Sequence, residues 1–212
     1  MGIKERKERE KERRRQQIIV AAKRAFSEKG YNRSTIEDIA QEAELSPGTL
    51  YLYFKNKEEL FASLSLRILQ YLLIRLKEVS VDTTGGSTRR LNQLNEVLFD
   101  VYAFDPDALI NLFHLQSSET LKNLSEPLLE ELNALSRKAI KALAAIFESG
   151  IKAGVFQGDY SPIVLADILW SLFSGVILWE ASKSVIDEKK DFLKQTLSTA
   201  FDILERGISV NQ

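Results

Sequence analysis

Cysteine is absent from this 212-residue sequence, which excludes disulfides and thiolate metal sites and fits a reducing cytosol. Histidine occurs once, at His114, with no neighbouring carboxylate or thiolate at metal-ligand spacing, so no metal site and no cofactor is expected. No segment sustains the period-two alternation of a half-buried strand. The charged opening MGIKERKEREKERRRQQ lacks the apolar run of a secretory signal. The one long apolar stretch, 162–181, carries Asp167, Glu180 and several serines, so burial in protein explains it better than a membrane does. Nucleophile–base pairs, paired carboxylates and phosphate loops are missing too. TTGGST at 83–88 has two glycines but no Gly-Lys and reads as a linker. These absences point away from an enzyme, a secreted protein or a membrane protein, and toward the cytoplasm.

What is present is a hydrophobic share of 44%, enough for a sizeable core, and a charged share of 28% with formal net charge −1. The length suits one large domain, or a small and a medium one. The near-neutral total hides an asymmetry: residues 1–60 carry a net +3 and the remainder a net −4. A basic end is what a phosphate-binding surface requires.

Apolar residues recur at spacings of three and four almost throughout, so the sequence predicts an all-α chain of about nine helices. All four prolines mark helix starts: Pro47 after Ser46, Pro106 after Asp105, Pro162 after Ser161, and Pro127 two residues after Ser125. The first helix ends near Lys29-Gly30, where glycine takes the C-terminal position. Two short helices follow at 34–43 and 47–53, then a long one from Asn56-Lys57 to about Val79. VDTTGGS is a loop. Helices at 88–103, 106–117, 125–152, 162–183 and 188–207 complete the chain, with Gly150, Gly154 and Gly158 punctuating the join before Ser161. The first seventeen residues hold eight basic and four acidic side chains, with Glu5–Arg9 and Glu10–Arg14 in the favourable order for helix ion pairs. Two readings of this segment stand: a solvated extension of the first helix, or a basic arm touching DNA.

The segment Ser34–Lys57 carries the most chemistry. Ser34 with Glu37 reads as a capping box. Ile36, Ile39, Ala40 and Ala43 form the inward stripe of one helix, and Leu45 plugs the turn. Ser46 caps the next helix, Pro47 begins it, and Gly48 leaves its leading turn bare. Leu50 and Phe54 face inward. Thr35, Thr49, Tyr51 and Tyr53 are left outside, where tyrosine hydroxyls suit phosphate oxygens and their rings suit thymine methyls. Asn56 with Glu59 caps a further helix whose N-terminus carries Lys57. The arrangement is a helix-turn-helix built to face nucleic acid.

Over positions 18–61 the sequence resembles the tetracycline-repressor-like (TetR) family of bacterial regulators. The resemblance rests on AA..AF..KGY at 21–31, ST..DIA..A at 34–43 and SPGTLYLYFKNKEEL at 46–60. It implies an N-terminal three-helix DNA-binding domain at 1–56 and a C-terminal helical bundle for ligand binding and dimerisation at 57–212. It further implies backbone contacts from Thr35, Tyr51, Tyr53 and Lys57, and base-edge or groove contacts from Pro47, Gly48 and Thr49. Arg33 is either a phosphate contact or a solvated loop charge. Ser34 stands where the family usually has threonine. Glu44 stands where it usually has glycine, and a side chain there at positive φ costs about 1 kcal/mol.

The remaining residues then need a partner. The segment 162–183 is apolar nearly all round and must be buried on more than one side, with Ser171, Ser174 and Gly175 as a flat patch; DFLKQTLSTAFDILERGI is amphipathic. By resemblance these last two helices form a homodimer interface that presents two reading helices to a palindromic operator in double-stranded DNA. The resemblance also implies a small-molecule effector inside the bundle, where Phe99, Tyr102, Phe113, His114, Trp170 and Phe173 are the candidate lining, and Asn111 and Gln116 further polar groups. Few charges interrupt 91–116 or 162–179, so a hydrophobic or aromatic ligand fits best. Two functions stay open: a ligand-released repressor, or a DNA-binding protein of the same fold without an effector, in an architectural or cell-division role. An apolar cavity in the bundle separates them.

Overall fold

The computed structural model describes residues 2–81, 87–116, 119–184 and 192–210. Among them the chain forms nine α-helices: α1 (Ile3–Lys29), α2 (Ile36–Glu42), α3 (Pro47–Tyr51), α4 (Lys57–Val81), α5 (Ser87–Phe104), α6 (Pro106–Gln116), α7 (Glu126–Lys152), α8 (Pro162–Ser184) and α9 (Leu193–Ile208). A short 3-10 helix, Glu119–Asn123, precedes α7 and has no counterpart in the sequence expectations. The loop expected at VDTTGGS and the start of the last helix expected at 188 fall largely outside the described residues. Each proline sits at the first or second position of its helix, its missing N–H falling where no intrahelical bond is due.

α1, α2 and α3 pack into a small head through Ile18, Ile19, Ala22, Phe26, Ile39, Ala40 and Leu50, all buried. α4 leaves that head and runs through the rest of the molecule, packing along α7 and against α5 and α6, while α8 packs on α7 and α9 on α5 and α8. The core continues through Leu69, Leu72, Leu98, Leu143, Phe147, Phe156 and Phe173. β structure among the described residues is a single bridge between Phe156 and Ser209, which ties the end of α9 to the turn after α7. Gly150 lies inside α7 because Phe156 leans on it: a Cβ there would meet the buried ring at 2.0 Å.

α8 is apolar nearly all round, yet the described residues cover one side of it only. Leu165, Ala166, Leu169, Phe173 and Ile177 are buried, while Val164, Ile168 and Trp179 are 48%, 45% and 63% exposed. By length and composition Pro162–Lys183 is able to cross a membrane. Its inner face nevertheless belongs to the protein core, and its buried Glu180 accepts hydrogen bonds from Lys183 and from Thr196 of α9.

Candidate nucleic-acid interface

The reading unit is assembled by local hydrogen bonds. α2 is capped by Thr35, not by Ser34: the Asp38 N–H donates to Thr35 Oγ1 (3.1 Å) and the Thr35 N–H to Asp38 Oδ2 (2.9 Å). The capping box therefore sits one residue later than the sequence suggested, because Thr35 is the extended residue before the helix (φ −114°, ψ 165°). Ser34 is buried instead and donates its hydroxyl to the carbonyls of Ala25 (2.9 Å) and Gly30 (2.8 Å), fastening α2 to the end of α1. Lys29 Nζ lies 2.6 Å from Asp38 Oδ1. That hydrogen bond, with those from Thr35, holds the Asp38 carboxyl down at about 2.

The turn after α2 closes as a Schellman motif. The Leu45 N–H donates to Ala40 O (2.8 Å) and the Glu44 N–H to Gln41 O (3.0 Å). That geometry needs a left-handed residue between them, and Glu44 supplies it at φ 55°. Ser46 then caps α3, accepting from the Thr49 N–H (3.2 Å). Leu50 and Phe54 are buried, whereas Pro47, Gly48 and Thr35 are exposed and Tyr51 is 53% exposed. Thr49 and Tyr53 are half-buried, and Thr49 Oγ1 lies 2.9 Å from Ser46 Oγ. Leu52, which the sequence reading did not single out, is the most exposed large apolar side chain of the unit at 77%.

Lys57 is placed differently from the other outward candidates. Its Nζ donates to the carbonyls of Tyr31 (2.8 Å) and Ser34 (3.0 Å) and lies 4.3 Å from the centroid of the Tyr31 ring. Two of its three N–H groups are thus committed to holding the α1–α2 loop on α4. Tyr31 packs in turn against Phe61 with the rings tilted (centroids 4.4 Å apart), and burial together with Glu58 pushes its hydroxyl up to about 12. Arg33 donates to Lys29 O (2.9 Å).

The head is tied to the body at named points. Lys23 Nζ lies 2.6 Å from Asp105 Oδ2, and the Ser27 hydroxyl donates to Asp107 (3.2 Å). The Asn56 amide donates to Asn123 O (3.3 Å). Glu59, capped into α4 by its N–H bond to Asn56 Oδ1 (2.9 Å), accepts from the N–H groups of Lys55 (2.8 Å) and Ser125 (3.2 Å). Burial raises its carboxyl, but those hydrogen bonds more than offset burial and leave it below the ordinary value. Between these ties lies an open cleft of about 510 Å³, lined by Tyr31, Arg33 and Phe61 on one side and Asn111, His114 and Thr120 on the other.

The candidate ligand residues separate into three groups. Phe113, Trp170 and Phe173 close on one another, with centroids 5.6–5.9 Å apart. Trp170 Nε1 donates to Gln116 (3.4 Å). Phe99 and Tyr102 are neighbours on α5, 6.5 Å apart, and Phe99 faces a groove of about 390 Å³ against Lys194 and Leu197 of α9. His114 lines the head–body cleft.

Comparison with known proteins agrees with this geometry. The family described as "Bacterial regulatory proteins, tetR family" matches residues 18–64, the reading unit with the packed part of α1 and the first turns of α4. The fatty acid metabolism regulator protein of Bacillus subtilis is 27% identical over 194 residues, 91% of this chain and 94% of its own length. The HTH-type transcriptional regulator YhgD of the same organism is 24% identical over 200 residues, 93% and 98%. Among solved structures, a tetR-family regulatory protein from Rhodococcus RHA1 superposes with a TM-score of 0.73 at 22% identity, over 94% of this chain and 98% of its own. The regulator FadR from Bacillus subtilis, solved with stearoyl-CoA, gives 0.68 at 24%, over 91% and 98%.

Proposed function

We propose that this chain, whose residues 18–64 match the tetR family of bacterial regulatory proteins, is a cytoplasmic homodimeric repressor of a palindromic operator. Residues 1–56 are the DNA-binding head and 57–212 the ligand-binding and dimerisation body. Pro47, Gly48 and Thr49 meet base edges, and Thr35, Tyr51 and Tyr53 meet the backbone. Lys57 acts on DNA chiefly by holding the loop that carries Thr35, its remaining N–H being left for phosphate. The observation that carries the reading is the division within one rigid unit. Leu50 and Phe54 are sealed inside while Pro47, Gly48 and Tyr51 project from the same eight-residue stretch. α8 and α9 supply the dimer: Val164, Ile168 and Trp179 of α8 and Ile203 of α9 are apolar and exposed.

The effector is a hydrophobic small molecule. A long-chain acyl thioester is the first to test, because FadR from Bacillus subtilis was solved with stearoyl-CoA. Binding it biases the tilt of α4, which starts directly after the reading unit. That tilt sets the separation of two reading helices that must sit about 34–36 Å apart. Selection of bound duplex from a random pool tests the reading. A palindrome supports it, and a site without two-fold symmetry overturns the dimeric reader. Operator affinity unmoved by stearoyl-CoA removes that ligand class. Closure of Phe113, Trp170 and Phe173 on one another favours the second reading, in which the same fold works without an effector.

A further inference from the structure

α1 is 27 residues long, but only its second half belongs to the head. Ile18 is its first buried residue, and residues 3–13 are exposed on every side, a free helical arm of about 16 Å. Lys, Arg, Glu and Gln sustain a helix without a core, and Glu5 accepts the Gly2 N–H at its start (3.1 Å).

The arm's charges are sorted by face. Lys4, Lys7, Lys11 and Arg14 recur at three and four, the spacing that Ile18, Ala22 and Ala25 continue into the core. Glu5, Glu8 and Glu12 form a separate stripe one residue on, and Arg6, Arg9 and Arg13 a third. The favourable Glu-to-Arg spacings do not become ion pairs. Arg9 donates to the main-chain carbonyl of Glu5 (3.4 Å) and Arg14 to Gln17 (3.3 Å). Among the described residues, no basic side chain from Lys4 to Arg15 pairs with a carboxylate. Four cations thus share one face of the helical arm, none of them within ion-pair distance of a carboxylate.

The direction of that face follows from the head. Where α1 is packed, the face looks onto α2 and α4, and its last turn outside the core is fixed there. Arg15 lies 4.9 Å over the Phe54 ring at the end of the reading helix, and donates to Ser63 (3.3 Å). Beyond Arg14 the same face looks past the reading helix. A helix seated in the major groove stands in a trough about 8.5 Å deep. The helix packed behind it lies some 8–10 Å further out. The phosphate ridge flanking the groove therefore rises to the level of α1.

We propose that the Lys4–Lys7–Lys11–Arg14 stripe is a second DNA-binding element, which lies along the sugar-phosphate backbone outside each half-site. It adds affinity without adding sequence information. The inference rests on the DNA-binding reading above. The duplex selected by the wild-type protein is prepared in two forms, trimmed to its half-sites and extended by about ten base pairs on each side. Affinity for both is measured against salt. The wild-type protein is expected to bind the extended duplex more tightly and with a steeper salt slope. The triple variant Lys4→Gln, Lys7→Gln, Lys11→Gln is expected to lose that advantage, by about fivefold per contact at 0.15 M salt and about 0.9 in slope per contact. Arg6→Gln, Arg9→Gln, Arg13→Gln removes equal charge from another face and keeps the advantage. Equal wild-type binding to both duplexes, or equal losses from the two triple variants, overturns the stripe while leaving the reading head intact. Failure to bind either duplex overturns the head and the arm together. Unchanged helical content in both triple variants shows that the rod itself is preserved.

Discussion

The reading head and the α8–α9 face answer their demands in opposite ways. In the head, the polar groups find partners within a few residues: Thr35 with Asp38, Glu44 with Gln41, Ser46 with Thr49, Asn56 with Glu59. On α8 the mismatch is apolar: among the described residues Ile168 and Trp179 stay 45% and 63% exposed. A unit closed on itself keeps its shape while it approaches a partner, and a face left open specifies that a partner must come. In the proposed repressor these are two halves of one requirement, since a small rigid reader gains range and affinity by being doubled.

The largest expected effect lies on the open face. Replacing Ile168 and Trp179 together by arginine puts two charges into the proposed dimer core, where anchors are worth about 2 kcal/mol or more each. Because both side chains are exposed in the single chain, helical content should persist while sedimentation reports a monomer. A variant that sediments like the wild-type protein would remove α8 from the interface. On the closed side, Leu50→Ala should cost about 2–5 kcal/mol in denaturant unfolding, because Leu50 has no exposed surface to begin with. A loss under 1 kcal/mol would mean that the head is far looser than its packing.

The same contrast explains what was legible in the sequence. Proline and glycine placement, caps and the i, i+3, i+4 stripe are local chemistry, so nine helices and the inward set of the head follow from residue types alone. The capping box was misplaced by one residue because Ser34 and Thr35 have the same cap chemistry. Only packing decides that Ser34 is the buried one, bonded to Ala25 and Gly30. Glu44 was legible as the strained residue only through the family resemblance, which has glycine at that place in the turn. The candidate ligand residues were not legible as a site. Aromatic residues at helical spacing look alike whether they line a cavity or fill one, and here Phe113, Trp170 and Phe173 fill their space with each other.

Lys57 sharpens the comparison, because the head's closure reaches it. Lys57→Met removes two charge-assisted, part-buried hydrogen bonds to loop carbonyls and should cost roughly 1.5–3 kcal/mol. DNA affinity should fall in step with the loss of the folded head. A variant of unchanged stability that has lost DNA affinity would show that its ammonium serves phosphate first. Tyr51→Ala is the converse case. With its ring half outside the fold, stability should stay within about 0.5 kcal/mol of wild type, while operator affinity drops on the order of tenfold and similarly for every sequence, as a phosphate contact requires. A sequence-dependent loss would make Tyr51 a base reader.

The smallest effect tests the closure of the head at its one strained point. Glu44 sits at φ 55° because the Schellman bonds of Glu44 and Leu45 hold it there, not because glutamate favours that conformation. Glu44→Gly relieves the left-handed penalty of roughly 1–2 kcal/mol but releases backbone entropy in the unfolded chain, which takes back about 0.5–1 kcal/mol. The net should be a gain of about 0.5 kcal/mol in denaturant unfolding, with DNA affinity unchanged. A destabilised glycine variant would mean that the Glu44 side chain makes a contact worth more than its backbone strain. A stabilised variant with weaker DNA binding would mean that the strained turn sets the angle between α2 and α3 that the groove requires.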